Sequence, residues 1–493
     1  MTTSPTVVDA GVWDEAARGL TTALGRSVLV SVERFTTAGR TTYTGPLALE
    51  AARPALAIGC YRPWPPAAAL RALAAESTTQ VRGVAQRRDW MAGLDRQARS
   101  AIAALDRPVV VSAWYGTDLL RSWAGPSGVV AAIDHGLRAR IEDKAYFGEL
   151  LLDARVPAAL HLPGVRVDGP LPHLARLRRR VGAVRLVVQC GADSGGRGTV
   201  FVNEEADLVR AAGMPGPYRV TAFTPGWSSN VTVLSVPDHR GGLRVYVDRP
   251  SHKAVGVPEA GIGPGKSAGN CWSVPWPEPA AAAVVDAAER VARWAWSRHG
   301  MSGLFGLDSI LTDDGRVFLN EINCRNQGTT EVSAVNQQLR SLPPFVVAHL
   351  TTLLGGRVEW LPDPDEFNAA TVRTAASTAP GPYYLKLRHR GDRPVVLDEG
   401  LARAGRYRIH GGRLRWTGPG AHPAEAGVGE VLLANLPEPG VVCLPGAELG
   451  TAEAVTPCGG GPFAGPHRLS PVGRALLNAL DRHLTPADLP TTR

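Results

Sequence analysis

The residues of this chain best suited to chemistry lie between Gly306 and Gln327, in GLDSILTDDGRVFLNEINCRNQ. Two apolar runs flank Asp313-Asp314-Gly315, and an Asp-Gly pair between such runs predicts a two-residue hairpin turn. With Asp314 and Gly315 as the loop, Asp313 faces Arg316, and counting back along both strands puts Asp308 directly opposite Glu321. Directly opposed side chains lie roughly 5 Å apart on one face of a sheet. Side chains two apart on a strand share a face, so Asn323 joins the pair, and so does Arg325 if the strand persists. Two carboxylates held that close repel, and burying either without a partner is costly, so a cation belongs between them. Two carboxylates and an amide oxygen suit Mg²⁺. The plainer alternative is that Asp308 and Glu321 pair with arginines and solubilise a half-exposed sheet. Apolar neighbours on both strands, with an amide and an arginine following in register, favour the metal.

Elements long enough to position such a row are easily accommodated. At 493 residues the chain exceeds one ordinary core, which predicts two or three domains. Hydrophobic content of 44% with 20% charged residues describes a soluble globular protein. No apolar run approaches a membrane span, and the first twenty residues lack a basic region followed by an apolar one, so a cytoplasmic location is expected. Six scattered cysteines show neither CxxC nor Cys/His ligand spacing. The net charge of +8 raises the question of an anionic partner. The densest basic cluster, Arg176–Arg180, has no interleaved aromatics and reads as a solvated helix face, so no nucleic-acid partner is expected. Lysine stands only at Lys144, Lys253, Lys266 and Lys386; where it survives in so arginine-rich a chain, arginine has not served.

Residues 1–125 alternate apolar runs (Ser27–Val32, Ala55–Cys60, Pro108–Ala113) with alanine-rich helical stretches such as Ala67–Glu76, which predicts a small parallel α/β domain. In Arg185–Val202, RLVVQCGADSGGRGTVFV, a buried strand leads through Ser194, Gly195, Gly196 and Gly198 to a second strand; glycines let backbone N–H groups close over phosphates, although Gly-Gly is also ordinary hairpin punctuation. Ala260–Ser267, AGIGPGKS, nearly spells a Walker A loop, but the glycine and proline after it forbid the helix that such a loop must open. Pro279–Gly300 is a strong helix with a stripe of Val284, Ala288, Val291, Ala292 and Ala295, and Gly300 stops it. Ser333–Leu354 is helical with a break at Pro343-Pro344. Beyond residue 365 come short β-like pieces (Tyr383–Arg388, Arg406–His410, Glu430–Ala434, Gly440–Leu444) and a closing helix, Pro471–Leu484, the pattern of an α+β domain spanning 366–493.

The stretch GLDSILTDDGRVFLNEINCRNQGTTE resembles the metal-binding end of ATP-grasp enzymes: an acid on one strand, then Asn-Glu-x-Asn-x-Arg on the next. The resemblance covers roughly residues 130–355. It implies an ATP-grasp fold of two lobes over 126–365, preceded by the N-terminal α/β domain and followed by the C-terminal α+β domain. It further implies that Asp308, Glu321 and Asn323 hold Mg²⁺ (Mn²⁺ able to substitute) on the phosphates of ATP, while Arg325 steadies the transferring phosphoryl group. Ile133–Val156 resembles the family's Asp-Lys helix, which makes Lys144 a phosphate contact. The Gly/Ser loop takes its phosphate role from the same order of motifs. Many relatives carry a phosphate-binding lysine where Gln189 stands, so that contact is neutral here or comes from elsewhere, with Lys253 one source. Tyr218–Val233 resembles the segment between lobes whose backbone pairs with adenine, which carries over to Ala222 and Phe223; the acid often found near Thr221 is missing. Arg249–Gly256 and Gly269-Asn270 resemble the later strand and loop of the same lobe.

The activity implied is an amide or peptide ligase that turns a carboxylate into an acyl-phosphate, joins it to an amine and releases ADP and phosphate. The whole order is most similar to the pheganomycin-type peptide ligases of actinobacterial natural-product pathways, with amino acids or peptides as substrates, no membrane partner, and a homodimer left open. Two alternatives stand beside it: carboxylation through carboxyphosphate, and a nucleotide-binding protein without ligase activity.

Overall fold

Short β-branched runs separated by helices cannot pair locally, so they assemble side by side as a parallel sheet. The computed structural model of the chain describes residues 10–33, 40–61, 70–76, 81–83, 91, 93–191, 196, 198–401 and 403–489. Helix α1 (Ala10–Leu24) leads into strands β1 (Val28–Glu33), β2 (Leu56–Gly59) and β3 (Ala72–Ala74). Helix α2 (Asp95–Ala103), β4 (Val109–Ala113), α3 (Asp118–Ala124) and β5 (Val129–Ala131) follow. The strands form a parallel sheet in the order β3-β2-β1-β4-β5. One expectation fails here. Within the alanine-rich Ala67–Glu76, Ala72–Ala74 is an edge strand paired with Ala57–Gly59, not a helix. Alanine's helix preference is worth under about 1 kcal/mol per residue, too little to outweigh a ladder offered by a preformed strand. Residues 67–69 lie outside the described residues.

Helix α4 (His135–Ile141), a 3₁₀ turn at Lys144–Tyr146 and helix α5 (Phe147–Asp153) connect to a small antiparallel sheet. Its strands are β6 (Gly164–Val167), β7 (Leu186–Cys190), β8 (Thr199–Val202) and β9 (Tyr218–Ala222), in the order β6-β9-β7-β8. Leu177 and Leu208 from two covering helices bury Val188 and Val220 on one face. Alternation therefore turns Gln189 and Arg219, direct partners across β7 and β9, to the opposite face.

The large sheet begins with β10 (Trp227–Pro237), β11 (Leu243–Val247), β12 (Ser251–Val255) and β13 (Ser267–Cys271). After helix α6 (Glu278–His299) come β14 (Gly303–Leu311), β15 (Val317–Asn323) and helices α7 (Thr330–Leu339) and α8 (Phe345–Leu353). Five more strands complete it: β16 (Gly381–Arg388), β17 (Gly405–His410), β18 (Arg413–Gly418), β19 (Glu430–Ala434) and β20 (Glu448–Thr456). The order is β15-β14-β10-β12-β13-β16-β20-β19-β17-β18, with β11 beside β10. Pairing of β13 with β16 carries this sheet across residue 365, so five C-terminal strands extend it, while Val395–Leu397, Val442–Cys443 and Leu484–Pro486 join Val81–Arg82 in a separate four-stranded sheet. The segments Arg249–Gly256 and Gly269-Asn270 also lie in this sheet, not in the small one. The stripe on α6 packs as expected: Val284, Ala288, Val291, Ala292 and Ala295 bury Phe305, Leu307, Val317 and Leu319, and Gly300 ends the helix at φ +63°. Among the described residues, no helix is long and apolar enough to cross a membrane.

His349 on α8 is 2% exposed and its Nδ1 accepts the Leu304 N–H at 2.9 Å, an arrangement open only to the neutral ring. Burial pushes its pKa down to about 4. The unfolded chain therefore takes up this proton first on acidification, and stability present above about pH 6.5 is lost as pH falls toward 4. The expected loss is about 3 kcal/mol. Urea midpoints at pH 7 and 4.5 check it, and His349→Gln should flatten the difference.

Candidate functional site

Strict alternation would have hidden this site. On β14, Phe305 and Leu307 point into the α6 core, so Gly306 and Asp308 face away from it. On β15, Val317 and Leu319 also point into that core, and unbroken alternation would send Glu321 and Asn323 after them. A bulge at Asn320 prevents this: Ser309 pairs with Leu319, but Asp308 pairs with Glu321. The extra residue reverses the parity, so Ile322 takes the core side while Glu321 and Asn323 join Asp308 on the cleft side.

The turn also corrects the expectation. Thr312 N–H donates to Arg316 O at 2.9 Å, so the loop holds three residues, Asp313 to Gly315, with Gly315 at φ +81°. A loop one residue longer than expected and a bulge of one residue cancel in the register. Asp308 therefore lies opposite Glu321, although by a route the spacing does not reveal.

The row meets a set of cations. Lys253 Nζ lies 2.6 Å from Asp308 Oδ2, and Asn230 Nδ2 donates to Asp308 Oδ1. Lys144 Nζ lies 3.3 Å from Glu321 Oε2. Arg325 Nη2 donates to Asn323 Oδ1 at 2.6 Å, and its Nε lies 3.2 Å from Glu142 Oε1. Arg138 holds the other oxygen of Glu142 at 2.6 Å. Burial and the neighbouring Glu321 raise the pKa of Asp308 against the pull of Lys253. Burial opposes ionisation of Glu321 too, but Lys144 and Lys253 outweigh it and hold that carboxyl below its ordinary range. Burial likewise opposes the charge on Lys253, which Asp308 and Glu321 restore and push above the usual lysine value.

The smaller expectations divide. Lys144 is in the cluster, yet on a 3₁₀ turn capped by Asp143, whose Oδ1 accepts the Ala145 N–H at 2.9 Å. Lys144 N–H donates to Gly191 O, and a Cβ at Gly191 would collide with Asp143, which explains the glycine. Gln189 is 6% exposed and faces the same cleft. Gly196 sits at φ +79° with its Cα against Gly265, so the Gly/Ser loop meets AGIGPGKS, whose Ser267 opens a strand and no helix. Gly198 is buried and its carbonyl accepts the Cys190 N–H. Ser194 and Gly195 lie outside the described residues. The N–H groups of Ala222 and Phe223 donate to Pro163 O and Arg185 O, each at 2.9 Å, so these two N–H groups are not available to a base. Arg185 stacks 4.0 Å from the Phe223 ring centroid.

Glu142, Arg138, Asn230 and Arg219 were not singled out from the sequence. Glu142 and Arg138 had a faint signal, an acid directly before Asp143-Lys144 with an arginine four residues ahead of it on α4; Asn230 and Arg219 became visible only when strands from distant segments converged.

The donor set suits a hard divalent cation. Its atoms are carboxylate and amide oxygens, and the two carboxylates lie directly opposite one another on the cleft side. Among the described residues no group of three or more His, Cys, Asp or Glu that could hold a metal ion is found, and the row supplies two carboxylates.

No protein-family model matches the chain, and no curated protein matches its sequence significantly. Solved structures do match. The biotin carboxylase domain dimer of the 2-oxoglutarate carboxylase from Hydrogenobacter thermophilus, in complex with MgADP, ADP and bicarbonate, is 13% identical. The match covers 88% of this chain and 87% of that chain with a TM-score of 0.54. The chain has the ATP-grasp fold. Biotin carboxylase from Campylobacter jejuni, in complex with β-γ-ATP, superposes on this ATP-grasp fold at 13% identity, 90% and 85% coverage and a TM-score of 0.50. The L-amino acid ligase from Bacillus licheniformis superposes more loosely, with 13% identity, 93% and 98% coverage and a TM-score of 0.49.

Proposed function

We propose that the chain is an ATP-dependent carboxylate–amine ligase that joins the carboxylate of an amino acid to the amine of an amino acid or peptide. The observation that carries this reading is the make-up of the row. Asp308, Glu321 and Glu142 are outnumbered by Lys144, Lys253, Arg138 and Arg325 in contact with them or with one another's partners, so the cluster seeks a further anion. A polyphosphate whose charge is bridged by a cation on the two carboxylates satisfies both halves.

In this reading Asp308, Glu321 and Asn323 would hold Mg²⁺. Bound there, the ion would neutralise phosphate charge and polarise the phosphoryl oxygens. The substrate carboxylate attacks the γ-phosphorus, the bond to the β-phosphate oxygen breaks, and ADP leaves. The amine then attacks the acyl carbon and expels phosphate. Arg325, fixed between Asn323 and Glu142, stabilises charge on the acyl-phosphate. Lys144 and Lys253 reach the phosphates once these displace them from the carboxylates. The finer reading, a peptide ligase of the pheganomycin type in natural-product biosynthesis, rests on the order of motifs in the sequence.

Carboxylation through carboxyphosphate is the second reading, because a neighbour in fold was solved with MgADP and bicarbonate. An ATP-consumption screen of amino acids and peptides in pairs, with mass spectrometry for a condensation product, tests the first. Turnover that requires bicarbonate and no amine would replace it with the second. Lys144→Ala should raise the nucleotide concentration needed for half-maximal turnover by about tenfold, the worth of one charge-assisted phosphate contact; an unchanged value would dismiss that lysine.

A further inference from the structure

Arg219 is an anomaly in this cleft. It is 6% exposed, and burial lowers its pKa to about 10. A cation so desolvated ordinarily has a carboxylate at hydrogen-bond distance. Arg40 and Arg82, buried still more deeply, each have one. Among the described residues Arg219 has only neutral acceptors: its Nη1 donates to Asn320 O and, at 3.5 Å, to Gln189 Oε1, with the Phe147 ring 5.0 Å from its guanidinium carbon. Among the described residues Glu321 is the carboxylate that supports its charge, through space.

Its place along the row indicates which anion it awaits. Asn320, whose carbonyl it holds, precedes Glu321, and Asn323 and Arg325 lie beyond on the same strand and its continuation. The end of the row that carries Arg325 is the reacting end, so Arg219 stands at the other. Gln189 is its direct cross-strand partner and is neutral.

We propose that Arg219 binds a non-transferring phosphate of the nucleotide, supplying from β9 the positive charge that Gln189 on β7 lacks. This rests on the nucleotide reading above. The Nη1 bonds aim the guanidinium and leave Nε and Nη2 for phosphate oxygens, a fork that a lysine cannot reproduce.

The test is calorimetric titration of wild type, Arg219→Gln and the double variant Arg219→Gln/Gln189→Lys with MgADP and with adenosine. Arg219→Gln should weaken MgADP by about 10- to 100-fold, the range for a charge-assisted bond to phosphate, and leave adenosine within about twofold. The double variant should recover most of the MgADP affinity, because the ammonium introduced on β7 would carry its charge into the same cleft. Equal loss for both ligands would mark Arg219 as a purely structural residue, and no loss for either would exclude it; both overturn the proposal. If Arg219→Gln does not fold, Arg219→Lys decides by the same ratio of MgADP to adenosine. Failure of wild type to bind MgADP at all would refute the nucleotide reading, and the role of Arg219 with it.

Discussion

Glu321→Gln is expected to abolish Mg²⁺-dependent ADP release while the protein folds normally. The substitution keeps the side chain's shape and removes one of the two charges opposed across β14 and β15. The Lys144 ion pair, 3.3 Å long, is lost with the charge, but the glutamine amide keeps an oxygen within reach of the Lys144 ammonium. The chemical cost is far greater. With one carboxylate left, a divalent ion has no fixed position from which to offset phosphate charge, and a fall of more than about 100-fold follows from the several kcal/mol such a centre supplies. The same loss should show without turnover, as disappearance of the difference in ADP affinity between excess Mg²⁺ and excess EDTA. A variant that keeps that difference would remove Glu321 from the metal site.

Arg40→Met should cause the largest loss of stability. Arg40 is 1% exposed and ion-paired with Glu331 at the start of α7 and, at 2.6 Å, with Glu453 on β20. Burial opposes its charge, yet the two carboxylates raise its pKa well above the usual arginine value. Methionine fills the volume and leaves two buried carboxylates facing one another, which costs about 3–5 kcal/mol. Those carboxyls would then have folded-state pKa values raised above their unfolded ones, so their penalty is relieved below the unfolded value. The variant's deficit in urea should accordingly shrink as pH falls toward 4. Adding Glu331→Gln and Glu453→Gln should recover part of it at pH 7. An unaltered urea midpoint in Arg40→Met would show that the triad does not hold the N-terminal segment, α7 and β20 together.

How much of this was legible in the chain varies with the range of the interactions. Helix α6 was readable to within a residue because its stripe repeats every turn and Gly300 stops it, both local properties. The opposition of Asp308 and Glu321 was readable as an outcome but not as a path. A strand's side-chain pattern does not announce a bulge, and the error at Asn320 happened to cancel the error in the loop. Ala72–Ala74 was misread because local propensity is weak beside an available strand partner.

The sequence by itself determined which chemical groups the site contains, since Asp308, Glu321, Asn323, Arg325 and the rare lysines at 144 and 253 are matters of side-chain type and short spacing. Only the tertiary structure decided that Lys253 lies on Asp308, that Glu142 anchors Arg325, and that a buried arginine stands across from Gln189. The physical reason is that strand pairing joins residues by register, not by distance along the chain. Residues 253 and 308 become neighbours because both their strands pair with β10, and residues 219 and 320, which lie in different sheets, only where the cleft face of the small sheet meets β15.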